Sequence, residues 1–205
     1  MALAAATLVL VGGCGEQQAI EDEVMAGPED TSVSGEEQVP EIEEVEPSKE
    51  AADFTVPLVD GGEASLSDYE GKILVLDFWA TWCAACVKEF PAYEELYGSW
   101  DHDKVEYLGL AADGDMGTVK AFLEGRPDLT LPMAVASDEL LDAYLPTRTL
   151  PSSRVIDGDG VIRYEFKGAG AEKVKEAVRL LLEEDDGAAT GNGAEHPAEA
   201  DAPTE

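Results

Sequence analysis

The spacing of apolar and polar positions changes several times along the chain, and each change marks an element. Phe54-Thr55-Val56-Pro57-Leu58-Val59 and Glu63-Ala64-Ser65-Leu66 flank Asp60-Gly61-Gly62, a pattern that predicts a short β-hairpin. Ser67 to Gly71 reads as a turn of helix ended by glycine. Ile73 to Trp79 is apolar except at Asp77, as expected of a strand covered on both faces. From Ala84 to Tyr97 the period lengthens. Val87, Phe90, Tyr93 and Leu96 recur every three residues, while Lys88, Glu94 and Glu95 fall on the other side, predicting an amphipathic helix with Pro91 inside it. Val105 to Ala112 predicts a second buried strand, Thr118 to Leu123 a helix closed by Gly125, Leu131 to Val135 a short strand and Glu139 to Tyr144 a short helix. Ser152 to Asp157, the turn Asp157-Gly158-Asp159-Gly160 and the alternating Val161 to Phe166 make a second hairpin. Ala171 to Glu184 gathers Val174, Ala177, Val178, Leu181 and Leu182 on one side as a closing helix. Elements in this order predict an α/β domain over residues 52–184, three layers deep around a central mixed β-sheet.

At both ends the periodicity stops. Residues 15–51 are dominated by Glu, with Pro28, Pro40 and Pro47 and no aromatic residue. Such a segment buries too little apolar surface to offset its ordering entropy and is expected to be a disordered, extended tether. Residues 185–205, rich in Gly, Ala and acids, are expected to form a disordered tail. The net charge of −32 is shared among tether, domain and tail. It argues against a nucleic-acid partner or an anionic membrane surface, and fits equally a need for solubility or life in high salt. Ahead of the tether, Met1 to Val11 is an apolar run too short to span a bilayer and suited to a signal-peptide core, although no Lys or Arg precedes it. Val11-Gly12-Gly13-Cys14 resembles a bacterial lipobox, which implies cleavage after residue 13, lipidation of Cys14 and contact with the membrane through that anchor only.

Chemistry concentrates where the buried strand meets the first long helix. Cys83 and Cys86 are spaced C-x-x-C at the start of the helical pattern. A thiol at a helix N-terminus sits near unpaired N–H groups and the positive end of the macrodipole, which favours its thiolate, so Cys83 is the candidate nucleophile. Cys86 follows one turn later, close enough for a short disulfide with Cys83. A zinc site would need four ligands, yet beyond these two the chain offers only Cys14, His102 and His196, so no metal is expected.

The segment Asp77-Phe78-Trp79-Ala80-Thr81-Trp82-Cys83-Ala84-Ala85-Cys86, followed by Lys88-Glu89-Phe90-Pro91, resembles the active-site segment of thioredoxin-like proteins. Within them it is most similar to the membrane-anchored TlpA/ResA-type thiol–disulfide oxidoreductases, over roughly residues 52–184. The resemblance implies a thioredoxin fold with an N-terminal hairpin and, at residues 118–135, a TlpA-like insertion. It implies no cofactor, and partners that are exported protein dithiols or disulfides, apocytochrome c among them, together with a membrane redox donor or acceptor. Asp77 matches the buried acid that helps deprotonate the second cysteine, here Cys86. Pro151 matches a cis proline that sets the Leu150 backbone opposite the dithiol for an extended substrate, and Trp82 is a candidate substrate contact. Where family members place a Glu after the second strand, this chain has Asp113-Gly114-Asp115, so Asp113 or Asp115 is the candidate substitute. Ala84-Ala85 stands in place of the usual Gly-Pro, which should alter the acidity of Cys83.

Two other activities fit the same opening less well. A peroxiredoxin-like thiol peroxidase would need Pro and Thr or Ser ahead of Cys83, where the chain has Leu76 and Ala80. A copper-delivery metallochaperone would use a longer C-x-x-x-C spacing with a nearby His.

Overall fold

The computed structural model describes residues 49–191, with side chains through Asp186. Cys14, the lipobox-like segment, nearly all of the expected tether and residues 192–205 lie outside the described residues. In chain order the elements are β1 (Lys49–Glu50), β2 (Thr55–Pro57), β3 (Glu63–Ser65), a 3-10 turn (Leu66–Tyr69), β4 (Ile73–Trp79), α1 (Ala84–Ser99), β5 (Val105–Ala111), α2 (Met116–Glu124), β6 (Met133–Val135), α3 (Asp138–Tyr144), β7 (Ser152–Ile156), β8 (Val161–Lys167) and α4 (Ala171–Gly191).

β4 is the axis of the sheet because all seven of its side chains are buried. It pairs in parallel with β5 and antiparallel with β7; β6 extends the β5 side, β8 and β1 the β7 side, in the order β1-β8-β7-β4-β5-β6. β2 and β3 form the expected separate hairpin. Alternate residues of β4 serve opposite faces. Ile73, Val75 and Trp79 enter the core shared with α1, α2 and α4, while Leu74, Leu76 and Phe78 enter the core shared with the hairpin and α3. The predicted three layers around a mixed sheet follow, and alternation puts Asp77 on the α1 side.

The insertion is pinned to the domain by a group that periodicity had assigned to the outer side of α1. Glu94 accepts hydrogen bonds from the N–H and hydroxyl of Thr130 and from the N–H of Leu131 at 3.0 Å. Both ends of the domain extend beyond the sequence reading. Lys49 and Glu50, read as tether, pair with Ile162 and Val161 as an edge strand. At the other end α4 runs seven residues beyond Glu184, to Gly191. Its acidic end finds cations that a one-dimensional reading cannot place: Arg163 reaches Glu184 and Lys104 reaches Asp186, both at 3.1 Å.

Candidate active site

The dithiol sits where β4 ends and α1 begins. After Trp79 the chain turns, with the Cys83 N–H donating to the Ala80 carbonyl at 3.0 Å. The turn is held from the side by Asp113, just past β5, whose carboxylate accepts from the Thr81 N–H at 3.0 Å and from its hydroxyl at 2.6 Å. Cys83 is the N-cap of α1, and its sulfur accepts the Cys86 N–H at 3.2 Å. The two cysteines are joined, with Cα atoms 5.3 Å apart. Cys83 is 8% exposed and Cys86 2%, so an incoming sulfur meets Cys83 first. A thiolate there would face the unpaired N–H groups of the helix start.

The neighbours sort themselves by exposure. Trp79 is fully buried, its ring 5.0 Å from Phe90 and 5.5 Å from Phe122, and serves packing. Trp82 is 71% exposed, a large apolar ring in water next in the chain to Cys83. The Leu150–Pro151 peptide is cis. Pro151 is buried and its carbonyl accepts from the Gly168 N–H at 2.9 Å, while Leu150 packs against the core that holds Cys83 and Cys86. Among the described residues the Leu150 N–H and C=O make no backbone hydrogen bond. Of the two acids considered as substitutes for the family Glu, Asp113 is tied to the dithiol turn. Asp115 is instead the N-cap of α2, accepting from the Thr118 N–H at 2.8 Å.

Asp77 is 2% exposed. The Tyr107 hydroxyl donates to Oδ2 and the Ser153 hydroxyl to Oδ1, both at 3.1 Å, and Tyr93 bonds Ser153 at 2.9 Å. Burial pushes the carboxyl up to about 7; the hydrogen bonds from Ser153 and Tyr107 oppose the rise and the nearby charge of Glu89 adds to it. Glu89 accepts from the Gly170 and Ala171 N–H groups at 2.6 and 3.1 Å, so it also caps the start of α4. Ser153, Tyr93 and Tyr107 were not singled out from the sequence as site residues. The signal was available: a buried carboxylate requires donors, and these three carry hydroxyls on elements predicted to be buried. Arg154 was missed as well. It is 3% exposed on the opposite face of the sheet, donating to the Tyr144 carbonyl at 2.7 Å and lying 3.1 Å from Glu165.

The two rival chemistries gain nothing from the geometry. Leu76 and Ala80 are fully buried apolar residues that offer a peroxide no hydrogen bond from their side chains. His102 packs on Tyr97 and faces Glu106, just past the far end of α1 from the dithiol. Among the described residues no three or more His, Cys, Asp or Glu side chains are grouped to hold a metal, and no helix is long and apolar enough to cross a membrane.

Comparison with known proteins points the same way. The AhpC/TSA family model matches residues 47–165, more than half of the chain. The thiol-disulfide oxidoreductase ResA of Bacillus thuringiensis is 38% identical over 143 residues, covering 68% of this chain and 79% of its own. Among solved structures, the pneumococcal exposed lipoprotein thioredoxin Etrx1 of Streptococcus pneumoniae is 30% identical with a TM-score of 0.56, covering 63% of this chain and 100% of that one. A thioredoxin-family thiol:disulfide interchange protein of Chlorobium tepidum is 25% identical with a TM-score of 0.58, covering 66% and 97%. With a dithiol at a helix N-cap in a thioredoxin-like fold, the chain belongs to the AhpC/TSA family and is a thiol–disulfide oxidoreductase of the TlpA/ResA type.

Proposed function

We propose that this oxidoreductase is exported, tethered to the membrane through a lipid on Cys14, and exchanges disulfides with exported protein thiols, apocytochrome c among them, through Cys83 and Cys86. The observation that carries the chemistry is the Cys83–Cys86 disulfide at the α1 N-cap, with Cys83 outward and Cys86 inward on the side of the sheet that holds Asp77. In the reducing direction the Cys83 thiolate attacks a substrate disulfide and releases one substrate sulfur. Cys86 gives its proton to Asp77 and displaces the second substrate sulfur from Cys83, closing the disulfide. Trp82 and the free backbone groups of Leu150, ahead of Pro151, provide the contacts for an extended substrate segment. The lipobox-like Val11-Gly12-Gly13-Cys14 supports the anchor, and one solved relative is itself described as an exposed lipoprotein.

The test is to express Cys86→Ser in an envelope-bearing host, where unresolved mixed disulfides should accumulate on Cys83. Trapped partners confined to exported proteins with paired cysteines support the reading. A Cys86→Ser protein that traps nothing while Cys83 remains reactive contradicts it. Metabolic labelling with a radioactive fatty acid, present in the parent and lost in Cys14→Ser, tests the anchor separately.

A further inference from the structure

Among the described residues no base acts on Asp77. Its register partners are Gly109 on β5 and Ser153 on β7. The titratable groups that act on it are Tyr107 from β5 and Tyr93 and Glu89 from α1. Cys86 of α1 shares its side of the sheet, and α4 presents Val174, Ala177 and Val178 to that core. The direct partners on the carboxylate are hydroxyls, Tyr107 on one oxygen and Ser153 on the other, with Tyr93 behind Ser153.

The distinction matters for a group that must both gain and lose a proton. Lysine and arginine only donate, so they satisfy the carboxylate and leave the carboxylic acid poorly matched. A hydroxyl donates or accepts. When Asp77 is ionised, Ser153 and Tyr107 donate to it. When Asp77 is protonated it can donate to Ser153, because the Ser153–Tyr93 bond can run in either direction, while Tyr107 keeps the other oxygen. Neither state strands a buried polar atom of the carboxyl group.

We propose that Tyr107, Ser153 and Tyr93 are positioning residues for the exchange reaction, forming a reversible hydroxyl cradle that sets the pH at which Asp77 takes the proton of Cys86. The inference rests on the reading of Asp77 as proton acceptor. The step balances. Cys86 gives its proton to Asp77 and its sulfur electron pair to a new bond with Cys83. The Cys83–substrate bond breaks and the substrate sulfur leaves as a thiolate with that bond's electrons. The dithiol is thereby oxidised by two electrons and the substrate disulfide reduced by two, and the proton later lost by Asp77 balances the one the thiolate takes up. The hydroxyls restrain the rise that burial imposes on Asp77, as their geometry requires.

The test uses the full chain carrying Cys14→Ser, so that only two thiols react. Reduced protein is mixed with one equivalent of an aromatic disulfide, dithiobis-nitrobenzoate, and release of the coloured thiolate is followed by stopped flow from about pH 5 to about pH 9. The first release reports attack by Cys83 and the second reports resolution by Cys86. Tyr107→Phe should leave the first phase unchanged and slow the second about tenfold at neutral pH, the loss of one hydrogen bond to a charged group, with rates converging at alkaline pH. Ser153→Ala should do the same and keeps the test open if the tyrosine variant fails to fold. Second-phase profiles of both variants that superimpose on the parent, while Asp77→Asn flattens its own, would overturn the cradle. An Asp77→Asn profile identical to the parent would overturn the proton-acceptor reading beneath it.

Discussion

Replacing Asp77 by Asn should make the protein more stable, and the gain should depend on pH. The Asp77 carboxyl stands at about 7 in the folded protein against an ordinary value of 3.8, with burial as the main cause. Below pH 4 both folded and unfolded chains hold the proton and the site contributes no pH dependence. Between these two values the folded state binds a proton that the unfolded state has lost, so stability falls as pH rises. Above pH 7 the penalty is complete. At 1.36 kcal/mol for each tenfold change in proton affinity it amounts to roughly 4 kcal/mol as an upper figure. Asn removes the charge, and its amide can both accept from and donate to the Ser153 and Tyr107 hydroxyls. Urea unfolding of the oxidised parent and Asp77→Asn should give nearly equal stabilities at about pH 4 and a gap of about 2–4 kcal/mol in favour of Asn at about pH 8. Curves for the two proteins that stay parallel from acid to alkali would mean that Asp77 titrates alike folded and unfolded, and that its burial carries no such penalty. The same variant should resolve mixed disulfides slowly, so stability and activity move in opposite directions.

Three other substitutions probe the surroundings of the dithiol. Asp113→Ala removes both bonds that hold Thr81; the expected outcome is a loss of about 1–3 kcal/mol in denaturant unfolding and slower attack by Cys83 in the stopped-flow first phase. Trp82→Ala changes a ring that is 71% exposed, so stability should hold within about 0.5 kcal/mol while KM for a protein substrate rises and reaction with a small disulfide stays the same. Glu89→Gln removes a negative charge that raises the Asp77 proton affinity and weakens the cap on α4. Its second-phase pH profile should move to lower pH, with a stability loss of about 0.5–2 kcal/mol.

Much of this architecture was legible because the relevant patterns are local. The seven-residue apolar run of β4, the three-residue stripe of α1 and the two glycine-containing hairpins each express a period that one strand or helix enforces by itself. The dithiol was legible for the same reason, since a C-x-x-C at a strand-to-helix junction fixes its own geometry. What remained hidden depends on register between distant segments. Nothing along the chain states that Ser153 stands beside Asp77, or that Tyr107, two positions from the register partner Gly109, reaches the same carboxylate. Glu94 and Glu89 look like solvated charges on a helical wheel, yet each receives backbone N–H groups from segments tens of residues away. Lys49–Glu50 looks like tether until β8 offers an open edge, and the acidic end of α4 looks too charged to be helical until Arg163 and Lys104 lie beside it. Long-range pairing, not composition, decides those cases.

If the assignment of the dithiol is right, Cys83 and Cys86 cycle between dithiol and disulfide and pass that state to other proteins. The most direct measurement follows insulin reduction by the full chain with dithiothreitol, beside Cys83→Ser and Cys86→Ser, while thiol alkylation tracks the Cys83/Cys86 pair across glutathione buffers. The pair should show a reversible two-electron transition, the parent should catalyse insulin reduction, and Cys83→Ser should lose that catalysis. A pair that never closes into a disulfide, or insulin reduction that persists unchanged in Cys83→Ser, would contradict the assignment.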